Sequence, residues 1–132
     1  MHRNPSRPLS PHLSIWRWGP GMLVSILHRV TGSGLATVGA IVFTWWLAAA
    51  ASGADAYESF VGHARSWYGV VVWIGLTWAF FQHTASGLRH FVMDMGAGYA
   101  LPTNKFWANV TVAAAIVLTV LTWLYILGVR AT

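Results

Sequence analysis

Three stretches of this 132-residue chain contain no Asp, Glu, Lys or Arg: residues 30–54, 66–88 and 106–129. They run for 25, 23 and 24 residues. A helix needs about 20 mostly apolar residues to cross ~30 Å of hydrocarbon, so each stretch is long enough to span a bilayer. Composition agrees, since only 8% of residues are charged and 56% are hydrophobic, against roughly 25% charged in a soluble domain. The expectation is an all-α membrane protein with one membrane-anchor domain. Its three transmembrane helices fall at about 22–51, 66–91 and 106–128, after a polar arm over 1–21.

Charge placement sets the expected topology. The net charge of +5 invites a nucleic-acid reading, but the basic residues are few, flank apolar runs and form no basic face, so no nucleic-acid partner is expected. With the N-terminus in the cytoplasm, Arg3, Arg7, Arg17, Arg29, Arg89 and Lys105 lie inside. Only Arg65 and Arg130 lie outside, and Arg65 shares its short, mildly acidic loop with Asp55 and Glu58. That bias follows the positive-inside rule and puts the C-terminus in the periplasm. The chain has no cysteine, which excludes disulfides and thiolate-held zinc or iron–sulfur clusters within it. The opening MHRNPSRPLSPH has no apolar core, so no cleavable secretory signal is expected before the first span. A multi-pass protein of the bacterial inner membrane is the simpler reading.

Prolines at 5, 8, 11 and 20 oppose a continuous helix in the arm. Trp16 and Trp18 suit the membrane interface. Gly32, Ser33, Gly34 and Gly39 read as a packing face, because small residues let helices approach closely in lipid. Gly96, Gly98 and Pro102 are expected to break the connection before the third helix, which carries no histidine and is assigned to packing and lipid contact.

Candidate chemistry gathers at one expected membrane face. His83 lies inside membrane-depth sequence, where ionisable residues are costly and usually face a cavity, cofactor or partner. Neutral imidazole is a common haem iron ligand, although a lone histidine in lipid also serves as an interhelical hydrogen bond. His83 and Gly87 are one turn apart, so a flat ligand beside the histidine would pass over bare backbone. His83 and His90 share a stripe but lie ~10 Å apart along the axis, too far to be opposite ligands of one iron. If His83 binds haem iron, a second axial histidine would have to come from another chain or another copy. His28, Arg29, Arg89 and His90 sit nearer the polar boundary, where such groups hold propionates or simply snorkel. Asp94 suits pairing with Arg89 or capping a polar loop. Ser25 and Arg29 lie one turn apart on one face, suited to a polar oxygen such as a quinone carbonyl or to a structural role. His2, His12 and His63 read as solvated.

Three motifs add a resemblance. The arm from Arg7 to Trp16, RPLSPHLSIW, resembles the RPLSPHLxIY signature of the succinate dehydrogenase cytochrome b subunit family. Ser25 to Gly32, SILHRVTG, is similar to its SILHRxTG motif, and His83 to Asp94 to its HxxxGxRHxxxD motif. The resemblance implies a membrane anchor working in the tricarboxylic acid cycle and aerobic respiratory chain. Its partners would be a second small membrane anchor, an iron–sulfur subunit, a flavoprotein and the lipid bilayer. It implies that His83 is the axial ligand of a b-type haem shared with the sister anchor, and that Ser25 and Arg29 bind ubiquinone. His28, Arg29 and Arg89 would lie near the propionates, with His90 and Asp94 around them. Trp16 stands where the signature has tyrosine. The competing readings are a fumarate reductase anchor, a structural scaffold without haem or quinone, and a small channel. A channel would need polarity along a whole span, whereas here it concentrates at one end.

Overall fold

The structure, a computed structural model, describes residues 18–131, with side chains through Val129. The arm signature Arg7–Trp16, with His2, His12, Arg3 and Arg17, lies outside the described residues, as does the Arg130 side chain. The described residues form α1 (Pro20–Gly34), a π-helical turn (Leu35–Gly39), α2 (Ala40–Ser52), α3 (Ala54–Arg65), α4 (Trp67–Asp94) and α5 (Leu101–Ala131). The expected all-helical class holds.

The first expected helix is α1 and α2 joined through the π-turn, with proline in the first turn, where a missing N–H costs nothing. The Ala40 N–H bonds the Leu35 carbonyl five residues back, and the added residue turns the faces of α2 relative to α1 by about 100°.

Two boundaries depart from the sequence reading. Residues 54–65, expected as a loop, form the helix α3. Gly53 makes the turn before it with φ of 105°. Asp55 lies in its first turn and His63 and Arg65 in its last, a charge order that suits the helix dipole. The third helix starts at Leu101, five residues earlier than expected. Pro102 sits in its opening turn and does not break it.

Local signals fix the ends of α4. The Ser66 hydroxyl accepts from the Gly69 N–H at 3.1 Å, an N-terminal cap. Any Cβ at Gly69 would collide with the His63 carbonyl oxygen, so only glycine fits this joint with α3. At the other end Gly96 takes φ of 85°, while Gly96 N–H bonds Met93 O and Ala97 N–H bonds Val92 O. This pair of bonds is a Schellman cap.

Helices α1, α4 and α5 pack mutually. Gly32 faces His83 and Gly39 faces Leu76, so α1 and α4 are antiparallel. Asn104 touches both Gly21 and Arg89, so α5 runs parallel to α1. The start of α1, the end of α4 and the start of α5 therefore share one end of the bundle. Its interior is small and polar: Thr31, Ala79, Gln82, Ser86, Ala108, Thr111, Ala115 and Thr119 are buried, while Ile41, Phe43, Phe80, Leu121 and Leu124 are exposed. Large apolar side chains outside and small ones between helices is the arrangement of a protein solvated by lipid.

Two segments are long and apolar enough to cross a membrane: Pro20–Ser52, with mean hydropathy 1.7, and Leu101–Val129, with 2.4. The 28-residue α4 has the length, but its tryptophans, Gln82 and His83 keep its hydropathy below theirs.

Candidate functional site: a histidine held between two helices

The site forms where α1 crosses α4. His83 Nδ1 lies 3.1 Å from the backbone carbonyl oxygen of His28. A carbonyl only accepts, so this nitrogen carries the proton, and in the neutral imidazole the lone pair then sits on Nε2. The Thr31 hydroxyl donates to Leu27 O at 2.7 Å, and its oxygen lies 3.4 Å from the same Nδ1. The contact is close because position 32 is glycine. A Cβ there would come within 2.8 Å of His83 Cε1. Gly32, expected as a packing glycine, packs specifically against the histidine.

The His28 ring stacks on the His83 ring, with centroids 4.0 Å apart and planes within 7°. Stacking covers a face of the imidazole, whereas iron binds at the ring edge through a nitrogen lone pair. His90 lies beyond, its ring 5.2 Å from His28 and tilted by 59°. His28 thus fills the gap between the two histidines of α4. Its Cε1 lies 3.9 Å from where a Gly87 Cβ would stand, so the bare backbone expected beside His83 accommodates His28.

The remaining expected residues divide. Ser25 is half-buried and Arg29 exposed, one turn apart on α1; neither side chain has a hydrogen bond among the described residues. Arg89 turns toward α5, where its Nη2 donates to Asn104 Oδ1 at 2.8 Å. This corrects the pairing considered for Asp94, which lies exposed on the last turn of α4 and makes no ion pair among the described residues. A neutral amide on a neighbouring helix meets the guanidinium instead. Asn104 escaped sequence reading because asparagine near a helix start is common, and only the tertiary contact singles it out. Thr31 was visible only as part of a motif.

A haem ligand of this type needs one imidazole nitrogen protonated and bonded outward and the other free. His83 Nδ1 bonds the His28 carbonyl, and among the described residues no hydrogen bond engages Nε2. Among the described residues no three His, Asp or Glu side chains converge to hold a bare metal ion. A porphyrin, which brings four nitrogens of its own, asks less of the protein.

Comparison with known proteins decides the family. Residues 3–122 match the model of the succinate dehydrogenase/fumarate reductase transmembrane subunit. The chain belongs to this family. The succinate dehydrogenase cytochrome b556 subunit of Paracoccus denitrificans is 37% identical over 117 residues, covering 89% of each chain. That of Rickettsia felis is 31% identical over 118 residues, covering 89% of this chain and 90% of its own. The mouse mitochondrial cytochrome b560 subunit is 32% identical over 107 residues, covering 74% of this chain and 58% of its own. The resemblance read from the motifs is thereby established, and with it the transmembrane character of this family member.

Proposed function

We propose that this chain is the haem- and quinone-binding membrane anchor of a succinate:quinone oxidoreductase, passing electrons from a partner iron–sulfur subunit to ubiquinone. The observation that carries the reading is the His83 Nδ1–H bond to the His28 carbonyl, which leaves Nε2 as the free ligand atom. The cytochrome b names of the relatives support it. A second axial histidine would come from the sister anchor. A flavoprotein would feed the iron–sulfur subunit, and together the four subunits would serve the tricarboxylic acid cycle and aerobic respiration.

The spans in this reading are three: α1 with α2, then α4, then α5. At 1.5 Å per residue α4 reaches about 42 Å, enough to cross. Arg29, Arg89 and Lys105 gather at the bundle end that holds the start of α1, and Asp55 and Glu58 lie toward the other. The positive-inside rule assigns the first end to the cytoplasm of a bacterial inner-membrane protein.

A b-type haem bound at His83 would supply a one-electron carrier beside the quinone site. The protein's own contributions are positional and electrostatic. The His28 carbonyl and Thr31 hold the proton on His83 Nδ1, and Gly32 sets the helix separation. His28, His90 and Arg89 lie toward the polar end, where propionates are met, with Asp94 at the rim. Ubiquinone takes up two electrons and two protons to become the quinol. Ser25 donates a hydrogen bond to one quinone carbonyl, and Arg29 stabilises negative charge as it develops on that oxygen. The protons enter from the cytoplasmic side.

The test is a reduced-minus-oxidised spectrum of the detergent-purified complex, wild type beside His83→Ala. Loss or alteration of the b-type band in an otherwise assembled variant is the expected result. An unchanged band would overturn the ligand assignment, and no haem in either sample would favour a plain scaffold. Faster fumarate reduction by quinol than succinate oxidation would reverse the assigned direction.

A further inference from the structure

On the side of α4 turned away from the histidines, a groove of about 490 Å³ runs between α4 and α5. Ala85, Leu88 and Val92 line it from α4, and Trp107, Val110 and Ala114 from α5. The three α4 residues share a stripe, roughly half a turn round the helix from His83, Gly87 and His90. Ala85 and Ala114 are half-buried, whereas Leu88, Val92 and Trp107 are exposed. Small side chains therefore form the floor and large ones the rims.

Polarity is confined to one end. There Arg89, Thr103 and Asn104 line the groove. Arg89 Nη2 donates to Asn104 Oδ1 at 2.8 Å. That amide is neutral, so it aims the guanidinium without cancelling its charge, and further N–H groups of the fork remain for an acceptor. Thr103 sits in the opening turn of the 31-residue α5, where unsatisfied N–H groups and the helix dipole favour an anion. Lys105 adds a second positive charge beside Asn104. This end suits a phosphate, and the rest of the groove suits hydrocarbon.

Length identifies the occupant. From Asn104 to Ala114 the groove covers about 15 Å at 1.5 Å per residue, half of the ~30 Å hydrocarbon core. A partner's transmembrane helix crosses both leaflets and does not match a groove one leaflet deep with a charged mouth. We propose that the groove holds a glycerophospholipid, with an acyl chain along the alanine floor and its phosphate on Arg89. The site rests on the transmembrane character of the family and not on haem or quinone. In the topology given above, the lipid belongs to the cytoplasmic leaflet. It joins α4 to α5 from the side opposite the His28–His83 contact.

The experiment is a structure of the intact complex held with its native lipids in polymer-bounded discs. A mass-spectrometric count of the phospholipids retained after detergent purification accompanies it. The wild type is expected to show acyl-chain density in the groove and a phosphate within hydrogen-bond distance of Arg89. Ala85→Phe and Ala114→Phe each fill the floor and should retain fewer phospholipids per complex, with all subunits still assembled. Arg89→Gln keeps a donor but removes the charge, and should weaken retention while leaving the groove open. Should neither alanine variant assemble, the wild-type density and the Arg89→Gln count decide. A partner helix or a quinone in the groove would overturn the proposal. So would an acyl chain with no phosphate near Arg89, or wild-type lipid counts in every variant.

Discussion

Two histidines in this chain make the same bond and live differently. His63 and His83 each donate Nδ1–H to a backbone carbonyl, at 2.8 and 3.1 Å. The acceptor of His63 is Ser59, one turn back on α3, and the ring is exposed, edge-on to Trp45 and Tyr68. The acceptor of His83 belongs to another helix, and Gly32 and the His28 ring close around it. A bond within one helix orients a ring only relative to that helix. A bond between helices ties the ring's direction to the packing of the bundle, which is what a ligand atom needs in order to stay aimed.

The comparison can be tested by substitutions at both ends. The largest effect is expected from Arg29→Leu, which removes the cation beside the proposed quinone oxygen and leaves the histidine contact intact. Ubiquinone reduction should fall on the order of 100-fold, with the b-type spectrum retained. A steady-state succinate–ubiquinone assay alongside the spectrum checks it, and wild-type turnover would remove Arg29 from the site.

Gly32→Ala strikes the crossing itself. Its Cβ would stand 2.8 Å from His83 Cε1, so the ring must tilt or the helices part, an overpacking of about 1–3 kcal/mol. The expected result is a shifted or diminished b-type band and a lower melting temperature of the complex. A wild-type band would mean that the crossing yields easily and that the contrast with His63 is smaller than drawn.

Smaller effects belong to the far end. Ser66→Ala removes the cap on α4 and should cost about 1 kcal/mol, read as a lower melting temperature with no spectral change. His63→Ala should alter stability by less than ~0.5 kcal/mol, as an exposed substitution does. Any shift of the b-type band in His63→Ala would join the two regions that the comparison separates.

Legibility in the sequence followed the range of each interaction. The capped start of α4 and its glycine-terminated end rest on neighbours within a few residues, so the approximate limits of that helix could be read. The identity of α3 was legible too, since Tyr57, Phe60, Val61 and Ala64 follow helical spacing. Its short, mildly acidic sequence hides that stripe until Phe60 is seen buried against α2, its ring 5.0 Å from Trp45. The early start of α5 was missed because Pro102 was read as a breaker, when a helix's opening turn tolerates proline. Arg89 was placed with the histidines by motif and proximity, yet its rotation on α4 turns it toward Asn104.

The sequence by itself determined the family, the apolar runs and the place of a histidine within the second of them. Charge-free length and motif order are properties of one dimension and need no fold to be read. Only the tertiary structure decided that His28 lies between His83 and His90, that Gly32 is the floor of the His83 contact, and that Arg89 meets Asn104 at the mouth of a groove. Residue spacing gives position on a helix, but the helix's rotation and axial shift against its neighbours decide what each side chain meets. Those two quantities emerge from packing three helices at once.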